Sequence, residues 1–210
     1  PDPEMQIVMA VKPQAFADVA REIAPVTKPR VFISIMAGLD SGRIHRALGA
    51  AARIVRCMPN VACQIGQGMT AIALGMGARE GDEDFARQIF DALGKTVMVD
   101  ELLMHAVTAV SGSGPAYVFL LAEAMQKAAE AVDLPNDVAK MLVTQTMLGA
   151  AHMLSEKEVD APALRQSVTS RGGTTEAALR VFEHEGFQRT VIDAIRAARD
   201  RGVELNQQSH

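Results

Sequence analysis

Tryptophan is absent from these 210 residues, tyrosine occurs once, and cysteine twice, as Cys57 and Cys63. Two thiols cannot build a disulfide framework, and their spacing matches no zinc pattern. No signal peptide and no long uninterrupted apolar span is visible, so the reducing cytoplasm is the expected compartment and no membrane is expected as a partner. No polybasic run occurs, and a net charge of -4 with a pI near 5.8 leaves no electrostatic footprint for nucleic acid or an anionic lipid surface. None of His45, His105, His152, His184 and His210 sits in an H-E-x-x-H arrangement. No metal site is expected, and these histidines are assigned to core or surface.

What is present changes character near residue 100. Before it, β-rich runs at Gln6 to Val11, Arg30 to Met36, Arg53 to Met58, Met69 to Met76 and Thr96 to Val99 alternate with helical patterns at about Pro13 to Ala24, Asp40 to Leu48 and Asp82 to Leu93. That alternation predicts a mostly parallel α/β sheet. After it come alanine-rich helical stretches at roughly Glu101 to Ala109, Gly114 to Val132, Pro135 to Ser155, Ala161 to Val168, Thr175 to His184 and Phe187 to Val203. The expected fold class is therefore α/β plus all-α, with a first domain over residues 1–100 and a helical domain over residues 101–210. Leu120, Leu121, Met125, Ala128 and Val132 form an apolar stripe at helical spacing. It predicts a core, which periodicity allows within one chain or between two.

The stretch Leu164 to Thr175, L-R-Q-S-V-T-S-R-G-G-T-T, ends one helix, turns at two glycines and starts another. Gly172 and Gly173 keep side-chain bulk off the backbone, and the first amides of the next helix, at Thr174 and Thr175, have no intrahelical acceptor. With the positive end of the helix dipole, those amides suit a carboxylate or phosphate. A plain helix-loop-helix corner with threonine as N-cap explains the same local residues.

The first half lacks the strand, glycine-rich turn and helix with which a doubly wound dinucleotide fold begins. The pairs Gly66/Gly68, Gly75/Gly77 and Gly112/Gly114 do not replace it, since none follows a strand and opens a helix in a βαβ unit. The first domain is accordingly expected to be a partial Rossmann-like domain without its pyrophosphate turn.

Five segments then occur in a telling order: Ala10-Val11-Lys12-Pro13-Gln14, Ser34-Ile35-Met36-Ala37-Gly38, Arg56-Cys57-Met58-Pro59-Asn60, Val110-Ser111-Gly112-Ser113-Gly114-Pro115-Ala116-Tyr117 and Val168-Thr169-Ser170-Arg171-Gly172-Gly173-Thr174-Thr175. Their order and spacing resemble the pyrroline-5-carboxylate reductase family over essentially the whole chain. The resemblance implies reduction of 1-pyrroline-5-carboxylate to L-proline by hydride transfer from NADPH or NADH, the last step of proline biosynthesis. It places Ala10, Val11, Lys12, Pro13, Ser34, Ala37, Gly38 and Asn60 around the cofactor. Ser170, Gly172, Gly173, Thr174 and Thr175 fall in the substrate pocket, with the Thr175 hydroxyl reaching the ring nitrogen as the catalytic contact. It also implies a homodimer, or a higher homo-oligomer, built through the helical domain.

Three departures from the family pattern stand out: Arg171 where proline is usual, Val61-Ala62 in place of Thr-Pro, and the lack of the family's glycine-rich N-terminal segment. The third keeps two alternatives open, a catalytically impaired fragment that dimerises through its helical domain and a related imine reductase or dehydrogenase.

Overall fold

The computed structural model describes residues 5–26, 29–156 and 160–208; the polar lead at residues 1–4 and His210 lie outside the described residues. The chain forms two compact units, Pro1–Pro115 with Ala194–His210, and Ala116–Asp193.

The first unit is built on a five-stranded sheet, ordered β1 (Ile7–Met9), β2 (Arg30–Ser34), β3 (Ala52–Met58), β4 (Gly68–Leu74) and β5 (Gly94–Met98). Between them run α1 (Phe16–Ile23), α2 (Ser41–Leu48) and α3 (Asp84–Asp91), and α4 (Met104–Val107) follows. The pairs β1–β2, β2–β3 and β4–β5 are parallel, as the alternation of strand and helix predicts. The pair β3–β4 is antiparallel, which that alternation did not reveal. The reason is the connection: a short 3-10 segment, Val61–Ile65, closed by Gly66 at φ 70°, is too short for the crossover that parallel neighbours need.

Side chains alternate across the strands as the pleat requires. Phe32 and Ile54 face one side and meet Phe16 and Ala20 of α1 and Ile44 and Leu48 of α2. Val31, Ile33, Val55, Cys57 and Ile72 face the other side and meet Ala86 and Phe90 of α3. Strand β2 is buried along its whole length, which is why its apolar run shows no polar alternation. Arg56 falls on the face of Ile54, is 5% exposed, and pairs with Glu101 at 3.3 Å.

The second unit contains most of α5 (Gly114–Glu130), then α6 (Asn136–Glu156), α7 (Ala161–Ser167), α8 (Thr174–His184) and the start of α9 (Phe187–Gln208). Asp160 caps α7 by accepting the Ala163 N–H at 3.0 Å, and Phe182 and Phe187 meet edge to face across the α8–α9 turn at 5.4 Å. The apolar stripe that begins on α5 is largely uncovered within this chain: Leu120 on the helix is 66% exposed and Val132, just past its end, 69%, while Met125 is half-buried. Among the described residues, no helix is long and apolar enough to cross a membrane.

Candidate active site

Because β1, β2 and β3 run parallel, their carboxyl ends share one edge of the sheet. That edge gathers Ala10 to Pro13 after β1, Ser34 to Gly38 at the end of β2, and Asn60 after β3. Open α/β sheets bind ligands in such a crevice. Lys12 is extended, with ψ 141°, as a residue before proline tends to be, and Pro13 opens the 3-10 turn Pro13–Ala15. Ser34 is 1% exposed, and its hydroxyl accepts the Met36 N–H at 3.3 Å, turning the chain toward the exposed Ala37. Asn60 spans two segments: its Nδ2 donates to the Ser111 carbonyl and its Oδ1 accepts the Met69 N–H, both at 3.3 Å.

Strand β2 feeds α2 through Gly38, held at φ 74°, where a β-carbon would stand 3.3 Å from Leu205 Cβ. A helix N-terminus at such a place ordinarily attracts phosphate. Here it is already occupied by the protein's own carboxylates. Asp40 accepts the Arg43 N–H at 2.7 Å, and Glu101 accepts the Ser41 N–H at 2.7 Å and also its hydroxyl. This part of the edge therefore suits an uncharged ring and ribose better than a pyrophosphate.

Beneath it lies a polar group of Arg56, Glu101, Ser41 and Asp40. Burial lowers the Arg56 guanidinium from its ordinary value while Glu101 works against that shift, and burial pushes the Cys57 thiol up to about 12. For Asp40, burial raises the carboxyl, but hydrogen bonds from Asn206 and the Arg43 amide, with the charges of Arg46 and Arg56, prevail and hold it below its ordinary range. Cys57 is thus no nucleophile at neutral pH.

The residues from Ser170 to Thr175 form one turn between α7 and α8 within the second unit. Gly172 sits at φ 74°, and a β-carbon on Gly173 would stand 2.5 Å from Ser170 Oγ. The N-cap of α8 is Gly173, with no side-chain cap, so neither threonine caps the helix as the simple corner reading supposed. Thr174 and Thr175 lie in its first turn, where amides point out of the helix end. Arg171 is exposed.

Sequence reading missed Glu176, whose carboxylate accepts the Gly172 N–H at 2.7 Å and lies 3.3 Å from Arg180. The Gly-Thr-Thr-Glu run has the spacing of a capping box, so a signal was there. It also missed the π-turn Thr108–Gly112, where a β-carbon on Gly112 would stand 2.6 Å from Met58 Cε. Among the described residues, no group of three or more His, Cys, Asp or Glu is placed to hold a metal ion.

Sheet and helices together define the class: a Rossmann-like α/β domain followed by a helical dimerisation domain. Residues 101–205 match the family described as pyrroline-5-carboxylate reductase dimerisation. The pyrroline-5-carboxylate reductase of Haemophilus influenzae is 42% identical over 202 residues, which cover 95% of this chain and 74% of that protein. The enzyme of Pseudomonas aeruginosa is 41% identical over 204 residues, covering 96% of this chain and 75% of that one. The crystal structure of Plasmodium falciparum pyrroline carboxylate reductase, with NADP bound, superposes with a TM-score of 0.89 at 32% identity, covering 95% of this chain and 81% of that chain. The chain belongs to the pyrroline-5-carboxylate reductase family.

Proposed function

We propose that this protein reduces 1-pyrroline-5-carboxylate to L-proline with NADPH or NADH, the final step of proline biosynthesis. The observation that carries the reading is the roughly 40% identity to enzymes of that name along 95% of the chain. That similarity runs through the sheet and the helices alike. It does not favour a non-catalytic dimerising fragment or a reductase for another imine.

The assignment of residues is part of the proposal. The carboxylate of the substrate is held at the Ser170–Thr175 turn, by the first-turn amides of α8 at Thr174 and Thr175 and by the Ser170 hydroxyl, while Gly172 and Gly173, whose own amides bond Glu176 and the Ser170 carbonyl, shape the turn around it. Thr175, in the first turn of α8, directs its hydroxyl to the ring nitrogen. Ala10 to Pro13, Ser34, Ala37, Gly38 and Asn60 line the nicotinamide side of the cofactor crevice, and the carboxylates that close the N-terminus of α2 support placing the uncharged end there. When bound, the reduced nicotinamide supplies a hydride to the imine carbon. The chain's own task is then modest: to hold the electrophilic imine in line, exclude water and stabilise the protonated ring nitrogen. No covalent nucleophile is required.

The functional division at residues 1–100, a dinucleotide-binding domain, and 101–210, a helical dimerisation and substrate-binding domain, belongs to the same proposal, supported by the family match over 101–205. A homodimer, or a larger homo-oligomer built from it, is supported by that match and by the exposed apolar side chains of α5. A cytoplasmic location completes the reading.

The test is direct. With purified enzyme and 1-pyrroline-5-carboxylate, loss of reduced-cofactor absorbance should accompany stoichiometric formation of proline. No oxidation with either NADPH or NADH overturns the reading.

A further inference from the structure

The end of α9 closes on the loop between β2 and α2. Asn206 makes a reciprocal pair with Asp40: the Asp40 N–H donates to Asn206 Oδ1 at 3.1 Å, and Asn206 Nδ2 donates to Asp40 Oδ2 at 2.8 Å. Arg43 Nη1 adds a bond to the Asn206 carbonyl at 2.6 Å. One residue earlier, Leu205 lies over Gly38 so closely that a β-carbon there would stand 3.3 Å from Leu205 Cβ. One turn back, Gly202 sits against His105, where a β-carbon would be 3.1 Å from Nδ1. Gly202, Leu205 and Asn206, close together near the end of α9, thus lie against other parts of the first unit, to which this end of the helix belongs.

The geometry points to Asn206 as a positioning residue for cofactor binding: through Asp40 it holds the Ala37–Asp40 loop, and so the nicotinamide side of the crevice, in its binding conformation. The inference rests on the cofactor placement proposed above. Its physical content is preorganisation. A turn with a glycine at positive φ and an exposed Ala37 has many alternatives open to it, and the entropy of ordering it would otherwise oppose cofactor binding. Clasping it beforehand removes that opposition without touching the cofactor. The bonds to the Asp40 carboxylate and from the Arg43 guanidinium are charge-assisted and are the strong members of the set, the former being the one that the Asn206 side chain itself makes. The reciprocal pairing demands an amide, since an acid at 206 would face Asp40 with like charge and a hydrophobic residue would leave the Asp40 N–H without its acceptor.

The experiment compares Asn206→Ala and Asn206→Ser in the otherwise unchanged enzyme. The KM for NADPH, or for NADH if that is the better donor, should rise about fivefold in Asn206→Ala, while the KM for the imine and kcat per folded molecule stay within about twofold. Amide hydrogen exchange at residues 37–43 without cofactor should quicken in both variants, less in Asn206→Ser. A lowered Tm with unchanged cofactor KM would make Asn206 merely structural and overturn the inference. If Asn206→Ala does not fold, the milder serine variant decides by the same KM split. Unmodified enzyme that binds neither NADPH nor NADH would bring down the cofactor placement itself, and this inference with it.

Discussion

The two units bury their apolar residues very differently. In the first, Phe32, Ile33, Ile54, Val55 and Ile72 are each 0% exposed, packed between sheet and helices. In the second, the buried ones among the described residues are Ala139 and Val143, whereas Phe119, Leu120, Met141 and Val181 are each more than 60% exposed. Both units have the apolar periodicity of a core. The lesson is that a sheet flanked by helices closes its core within one chain, while long helices carrying apolar residues around much of their surface require another surface to cover them. A second copy of the chain supplies that surface in the proposal above.

The largest effect that tests this contrast is in the sheet. Phe32→Ala should cost about 3–5 kcal/mol, seen as a lowered denaturation midpoint. The lost burial lies within one chain, so the cost should persist on dilution. Phe119→Asp should act oppositely in kind: it should weaken self-association by roughly 100-fold, about 2.7 kcal/mol, in sedimentation or light scattering. Amide hydrogen-exchange protection in the sheet strands should barely change. If Phe119→Asp leaves the mass unchanged, the exposed face of α5 is not the interface.

Smaller effects belong to the sites. Thr175→Ala should lower kcat/KM for the imine about tenfold, equivalent to about 1.4 kcal/mol, with cofactor affinity nearly unchanged. Unaltered steady-state kinetics would remove Thr175 from the site. Gly173→Val places a side chain against Ser170 and should weaken binding of proline-like carboxylates in calorimetric titration more than it lowers Tm. A fall in Tm alone would assign that glycine to the corner rather than to a ligand.

The smallest effect is a pH dependence in the first unit. Burial first, then the Arg56 charge, lowers His105 from its ordinary 6.5, with Asp40 and Glu101 opposing. The unfolded chain then takes up the proton first. As pH falls below about 6.5 the unfolded state gains protons the folded state lacks, so stability declines there and levels off once the pH is below the folded value. His105→Gln should flatten that part of the stability profile. An unchanged slope would mean another group titrates in the window.

The alternation of strand and helix, the end of the strands near residue 100 and the glycine turn before Thr174 were all legible along the chain, because each is a local property: periodicity, propensity and backbone freedom act within a few residues. The antiparallel β3–β4 pair was not, since nothing within either strand records which way its neighbour runs. Nor were the partners of buried charge. Arg56 and Glu101 lie far apart along the chain, as do Asp40 and Asn206, and it is the sheet order and the path of α9 that bring them within hydrogen-bond reach. The stripe on α5 marks the boundary between the two kinds of information. Helical spacing wrote an apolar face into the residues, but whether that face is buried depends on what packs against it, and burial is a property of the folded surroundings rather than of the residues that seek it.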